Sequence, residues 1–288
     1  MQRTFGHTGI TTSALALGCA RLGSALTPLG RRECVALVEE AYALGVRHFD
    51  TASIYGQGDS ERYIGEALER HRGQVCLSSK AGQRLSPKQA LLANFKTPIR
   101  WIAARRGGLR EAVAGQRSQG VPRCFEPDYI EQSLRASLKR LRTDHLDIFY
   151  LHSPDAEVLT DEALMTRLAA LRQEGLFRAL GVSCDDDHLA WKAAVHDAVQ
   201  VVQFAFDDSP HAHALLRELS RRGKHAVLRG FMQPHSNERL RGEALSLRFF
   251  QTLQLPAVAG LIVGTTQARH LRDNVAAFER AQAMECAA

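Results

Sequence analysis

The chain predicts a (β/α)8 (TIM) barrel, and three observations carry that prediction. Eight short apolar runs recur along 288 residues, each followed by a stretch with helical spacing. Within the runs, consecutive rather than alternate positions are apolar, as in parallel strands covered by helices. The Gly-x-Gly-x-x-Gly turn of an open dinucleotide-binding sheet is missing after the first run, where Gly18-Cys19-Ala20-Arg21-Leu22-Gly23 stands instead. Eight strand–helix units in a chain of this length fit one closed barrel, a single domain over 1–288.

The elements follow in order. Residues 2–5 and 10–14 flank His7-Thr8-Gly9, predicting an N-terminal β-hairpin with Gly9 at positive φ. Residues 14–18 form the first barrel strand. From Arg31 to Leu44, apolar residues at 35, 37, 38, 41, 42 and 44 mark a helix that Gly45 closes. The second strand is 46–50, and Asp59 or Ser60 caps a helix running past Ile64, Ala67 and Leu68. Strands at 75–80, 146–151, 178–183, 199–204, 225–229 and 260–264 then alternate with helices at 129–141, 161–174, 187–197, 211–222, 242–253 and 268–283.

One connection breaks the rhythm. Residues 81–127 make a 47-residue insertion after the third strand, where such loops usually have about two to six residues. It leaves on the C-terminal face, where barrels of this kind carry their chemistry. Thr97-Pro98 opens a helix there, and Phe95 and Trp101 supply apolar surface, so the segment is expected to be a lid over the mouth.

Composition narrows the class. Hydrophobic residues make up 45% and charged residues 24%, the balance of a soluble globular protein. No apolar run approaches the ~18 residues of a membrane span, and the start lacks the apolar core of a secretory signal. Six cysteines form no Cys-x-x-Cys pair, which points to reduced thiols and a cytoplasmic location. The net charge of +6 is local: the insertion carries nine Lys or Arg against two acids, so the rest of the chain is close to neutral. With three aromatics in the insertion, base stacking has little to work with, and no nucleic-acid partner is expected. The basic lid suits either an anionic carbonyl substrate or a solvated or subunit-facing helix. There is no Walker A loop, no His-Glu-x-x-His and no Gly-x-Ser-x-Gly. His211 and His213, two apart, cannot chelate together from one helix face, so no metal is expected.

Ionisable groups gather at three successive strand ends: Asp50 and nearby Tyr55, Lys80, and His152. In a barrel these converge on one mouth. The chemistry they suit is proton donation to a carbonyl oxygen, with Tyr55 as donor and His152 orienting the oxygen. A phenol has a pKa of about 10, and an ammonium ~4 Å away supplies about 4 kcal/mol at an effective dielectric of ~20. Lys80 is therefore expected to lower the pKa of Tyr55, with Asp50 keeping the lysine charged and aimed.

Phe49-Asp50-Thr51-Ala52-Ser53-Ile54-Tyr55-Gly56, then Ser60-Glu61 and Ile64-Gly65-Glu66-Ala67-Leu68, resemble the signature of the aldo-keto reductase superfamily. The likeness continues through Leu138-Lys139-Arg140-Leu141, Asp147 to His152, Gly181-Val182-Ser183, Val202-Gln203 and Ile262-Val263-Gly264-Thr265 to Asn274. It implies hydride transfer from a nicotinamide cofactor, usually NADPH, to an aldehyde or ketone, with Asp50, Tyr55, Lys80 and His152 as the catalytic set. It also implies cofactor contacts from Gly18, Cys19, Asp50, Ser183, Gln203, Gly264, Thr265, Thr266, Arg269, His270, Asp273 and Asn274. Cys184 stands where the family has an Asn, and Gly264 where it often has a Lys. Arg229 stands where an aromatic often stacks on the nicotinamide; a guanidinium can stack similarly, and its charge would disfavour the oxidised ring. The helix after Thr266 offers N-terminal NH groups to a phosphate. With only fourteen residues beyond Asn274, the lid with Trp101, the first-strand loop with Arg21 and the seventh-strand loop with Phe231 and Met232 are expected to line the substrate site beside Tyr55 and His152. The alternative reading is a nicotinamide-responsive regulatory module with slow or vestigial turnover. Neither reading specifies the oligomeric state.

Overall fold

The computed structural model describes residues 2–24, 27, 29–84, 121–232 and 240–287. Two short antiparallel strands, β1 (Gln2–Thr4) and β2 (Thr11–Ser13), form the N-terminal hairpin, with Thr4 opposite Thr11. Gly9 takes the positive φ expected of it, at 68°.

The eight barrel strands are β3 (Leu15–Gly18), β4 (His48–Asp50), β5 (Cys76–Ala81), β6 (Leu146–His152), β7 (Phe177–Ser183), β8 (Val201–Ala205), β9 (His225–Arg229) and β10 (Val258–Gly264). They pair in parallel in chain order, and β10 closes on both β9 and β3. Among the described residues the α-helices are α1 (Arg31–Ala43), α2 (Asp59–Leu68), α3 (Pro127–Leu141), α4 (Glu162–Gln173), α5 (Asp187–Val195), α6 (Pro210–Arg221), α7 (Gly242–Leu253) and α8 (Ala268–Ala287). The predicted barrel is therefore observed strand for strand.

Because side chains alternate along a strand, the barrel divides its residues between two cores. Leu17, Phe49, Leu77, Phe149, Leu151, Leu180, Val182 and Val202 face outward and pack under the helices. Ile148, Tyr150, Ala179, Val201, Val227 and Ala259 face inward, and Phe5 and Ile10 of the hairpin join them. The hairpin thus plugs the N-terminal end, its Phe5 ring lying edge-on to His48 and His225. In mid-barrel the Tyr150 ring lies over Gly181, where an added Cβ would fall 2.4 Å from it.

Two local details differ from expectation. Neither Asp59 nor Ser60 caps α2: the capping position is Gly58, at φ 87°, and Asp59 is the first helical residue. Ser60 is diverted instead, its hydroxyl donating to the Cys19 carbonyl at 2.9 Å and lying 2.8 Å from Thr51 Oγ1, which stitches the loops after β3 and β4 together. The insertion after β5 has a paired stem. Cys124 N donates to Gly82 O at 2.7 Å and Arg84 N to Pro122 O at 2.9 Å. The helix expected near 97–103, with Phe95 and Trp101, lies outside the described residues.

Candidate active site

Asp50 ends β4, Lys80 lies near the end of β5 and His152 ends β6, so three neighbouring parallel strands deliver them to the C-terminal mouth. Tyr55 follows on a tight turn. Gly56 has φ 53°, and a Cβ there would sit 2.6 Å from the Leu22 carbonyl, so this close approach to the β3 loop needs glycine.

At the centre is a buried ion pair. Lys80 Nζ donates to Asp50 Oδ2 at 2.5 Å and to the Thr51 carbonyl at 2.8 Å. The ammonium lies 5.5 Å from the Tyr55 ring centroid and 5.4 Å from that of Tyr150, between the two rings. The other carboxylate oxygen, Asp50 Oδ1, accepts from Ser78 Oγ at 3.0 Å and Gln203 Nε2 at 2.9 Å. His152 stands edge-on to Tyr55 with centroids 5.7 Å apart. Its Nδ1 is buried without a hydrogen-bond partner among the described residues. Burial, then the Lys80 charge, hold the imidazole well below its usual pKa, so it is neutral at pH 7.

The expectation that Lys80 lowers the Tyr55 pKa is not met. Burial first, then the Asp50 charge, push the Tyr55 phenol up, with Arg229 the main opposing charge. The physical reason is first the burial of the phenol and then the Asp50 charge, while a lysine paired with that carboxylate at 2.5 Å presents little net field to offset them. Tyr55 therefore holds its proton firmly. Burial likewise pulls Lys80 down, opposed by Asp50.

A second buried pair braces the same wall. Glu61 of α2 accepts from Ser79 Oγ at 2.5 Å and from Arg140 Nε of α3 at 2.6 Å. It fastens the helix that follows the Tyr55 turn to the residue beside Lys80.

The cofactor-side residues divide into those at the mouth and those in the core. Gly18 and Gly264 are register partners at the ends of β3 and β10; the Ile262 side chain fills the space beside Gly18, and Gly264 is open. Ser183 Oγ donates to Gln203 Oε1 at 3.0 Å, joining β7 and β8 at the same level. Thr265 Oγ1 accepts from Gln267 N at 3.1 Å just before α8. Arg269 is exposed on the first turn of α8 and Thr266 is partly exposed just before it. His270, Asp273 and Asn274 border a cavity of about 260 Å³ with Arg241 and Arg280. Arg272, by contrast, is bound to Glu40 of α1 at 2.6 Å.

Four expected contact residues are buried or already paired. Cys19 and Cys184 are buried, with thiols directed to the carbonyls of Leu17 and Val182, and the Cys19 thiol lies close enough to feel the charges of Asp50 and Lys80. Phe231 is fully buried against Phe249 and packs the core instead of lining a substrate site. Arg229 does reach the mouth, but its Nη2 donates to the Cys184 carbonyl and to Asp185 Oδ1, both at 2.7 Å. Its charge is thus offset by the Asp185 carboxylate, far from Arg229 in sequence. Arg21 is exposed on the loop after β3, and Trp101 lies outside the described residues.

His48, Ser78, Tyr150 and Glu61 were missed as part of this network. The available signal was parity: His48 and Ser78 precede Asp50 and Lys80 by two residues and so face the same interior. Among the described residues no cluster of three or more metal-ligating side chains occurs and no helix is long and apolar enough to cross a membrane.

The model of the Aldo/keto reductase family matches residues 14–213. D-threo-aldose 1-dehydrogenase from a Pseudomonas species is 34% identical over 182 residues, covering 60% of this chain and 50% of that protein. NADH-specific methylglyoxal reductase from Escherichia coli is 29% identical over 196 residues, 64% of this chain and 52% of that one. The chain spans about half the length of the curated relatives it matches. Among solved structures, the holo form of aldo-keto reductase AKR11C1 from Bacillus halodurans superposes with a TM-score of 0.74 at 20% identity, over 96% of this chain and 90% of that one. That likeness concerns the fold.

Proposed function

The chain belongs to the aldo-keto reductase family, and from that premise we propose that it reduces an aldehyde or ketone to an alcohol with NADPH, using Tyr55 as general acid. The observation that carries this reading is the Asp50–Lys80 pair seated beneath Tyr55, with a neutral His152 edge-on to the phenol. A reduced nicotinamide, when bound, supplies a hydride to the carbonyl carbon. Tyr55 delivers its proton to the carbonyl oxygen, which completes the two-electron reduction. Arg229, the main charge favouring the phenolate left behind, and Lys80, its field largely offset by Asp50, face it. His152, uncharged, offers a hydrogen bond that orients the oxygen without competing as an acid.

The residues present fit such a cofactor. The open backbone at Gly264 lets a ring approach, and the Ser183–Gln203 pair offers donor and acceptor to a carboxamide. Arg269 and His270 at the start of α8 suit a phosphate, with the cavity bordered by Asp273 and Asn274 beside them. That basic pair supports NADPH over NADH, although one relative is named as NADH-specific. The test is oxidation of NADPH and NADH in parallel across a panel of neutral and carboxylated aldehydes and ketones. Absence of turnover with every carbonyl would refute the reaction. Equal kcat/KM for the two cofactors would remove the phosphate assignment, and equal rates with neutral and carboxylated partners would remove a role for the basic insertion in substrate choice.

A further inference from the structure

The barrel interior below Asp50 holds a polar chain that ordinary packing does not require. His48 Nε2 lies 3.2 Å from Ser78 Oγ, and Ser78 Oγ lies 3.0 Å from Asp50 Oδ1. All three side chains are buried. The Ser78 proton has two acceptors in reach, Asp50 Oδ1 at 3.0 Å and the Phe49 carbonyl at 3.4 Å; neither can donate, so the Ser78 oxygen accepts from His48. That fixes the imidazole as its Nε2–H tautomer. Its Nδ1 is then a bare lone pair, buried without a partner among the described residues and facing Gly260, where an added Cβ would lie 3.6 Å away.

Resting on the reductase reading above, we propose that His48 and Ser78 are positioning residues for the Lys80–Tyr55 acid. His48 holds Ser78, Ser78 and Gln203 occupy Asp50 Oδ1, and Oδ2 is left to Lys80 alone. The chain is directional: donors run from the apolar floor of the barrel to the carboxylate, and the carboxylate aims the ammonium between the two tyrosine rings. His48 suits the role because it does not titrate near neutrality. Burial holds it at about 4, against the opposing charges of Asp50 and Asp147, while Lys80 adds to the depression. Lys80 itself faces Asp50, Arg229 and Cys19.

Ser78→Ala leaves Asp50 one donor short, so the less neutralised carboxylate holds the lysine proton more tightly. The direct readout is the ¹³Cε titration of Lys80, one of six lysines, assigned with Lys80→Met. In Ser78→Ala its midpoint should rise by about one pH unit, the worth of one hydrogen bond to a charged group. The basic limb of the kcat profile should rise with it, while the cofactor KM stays unchanged. Ser78→Thr, which keeps the hydroxyl, should restore both. His48→Phe should move them the same way by less, and His48→Gln should recover part. A Lys80 midpoint that is identical in wild type and Ser78→Ala overturns the proposal, even if Ser78→Ala lowers Tm. So does a ¹⁵N spectrum showing His48 as the Nδ1–H tautomer or as imidazolium at pH 7. Both readings are independent of turnover. An inactive wild type would therefore refute the reductase function and leave the relay to be judged by the two spectra.

Discussion

The two ends of the barrel interior are built from the same strands and do opposite things. At the N-terminal end, β6, β8, β9 and β10 turn Ile148, Val201, Val227 and Ala259 inward, and Phe5 and Ile10 seal the opening. Two to four residues further along, the same alternation presents Tyr150, His152, Gln203 and Arg229, with Asp50 and Lys80 from β4 and β5. The floor gains from burial and holds His48 as a neutral group; the mouth carries a buried ion pair whose desolvation is costly. Fold and chemistry are thus separated along the strand axis, and the two ends should fail differently when altered.

The largest expected effect is at the mouth. Tyr55→Phe should lower kcat by about 10²–10⁴-fold, the usual worth of a general acid, and leave Tm nearly unchanged because the phenol oxygen supports no described packing. Wild-type turnover in this variant would break the assignment. Phe5→Ala at the floor should do the reverse. It removes a fully buried ring and should cost about 3–5 kcal/mol in urea unfolding, with kcat per folded molecule preserved. A large loss of kcat there would show that floor and mouth are not independent.

Lys80→Met tests the link between the two behaviours, since it strips Asp50 of its cation inside the barrel. It should cost about 3–5 kcal/mol as well as activity, and adding Asp50→Asn should recover stability but not turnover. If the double variant is no more stable than the single one, the uncompensated carboxylate is not the cause.

A smaller effect lies in the pH dependence. His48 is held at about 4 and His152 well below its usual value, in both cases chiefly by burial. Above the unfolded value of about 6.5, folded and unfolded chains bind the same number of protons at these sites, and the full stability is present. As pH falls from there toward 4, the unfolded chain takes up protons that the folded one refuses. Each such histidine should then cost about 1.4 kcal/mol per pH unit. His48→Gln should reduce the slope of unfolding free energy against pH in that window, and an unaltered slope would assign it to other groups. The smallest effect is expected at the rim. Asp185→Asn removes an exposed pair with Arg229 worth under about 1 kcal/mol. Freeing that guanidinium should still raise the ratio of NADP⁺ to NADPH dissociation constants, and an unchanged ratio would mean that Arg229 does not reach the ring.

Much of this was readable from local pattern. A parallel strand covered on both sides writes itself as a short apolar run, so the eight strands and the closure into a barrel followed from repetition. Strand ends in such a barrel share one face, so Asp50, Lys80 and His152 could be brought together on paper before any coordinates. Even the missed His48 and Ser78 were within reach, because two-residue parity is a property of the chain alone.

The remainder depends on partners far apart in sequence. Phe231 follows the seventh barrel strand as a loop residue should, yet the space under α7 draws it inward against Phe249. Cys184 neighbours Ser183, but the backbone turns its thiol to the outer core. Arg229 meets Asp185 across two strands. The sequence puts Lys80, held by Asp50, beside the phenol and so predicts a more acidic Tyr55; in the folded barrel burial and the Asp50 charge outweigh the ammonium, and the phenol's acidity moves the other way. Residue types and strand parity settle which groups arrive at the mouth. The field each group feels is a sum over through-space neighbours and burial, which come into being only when the barrel closes.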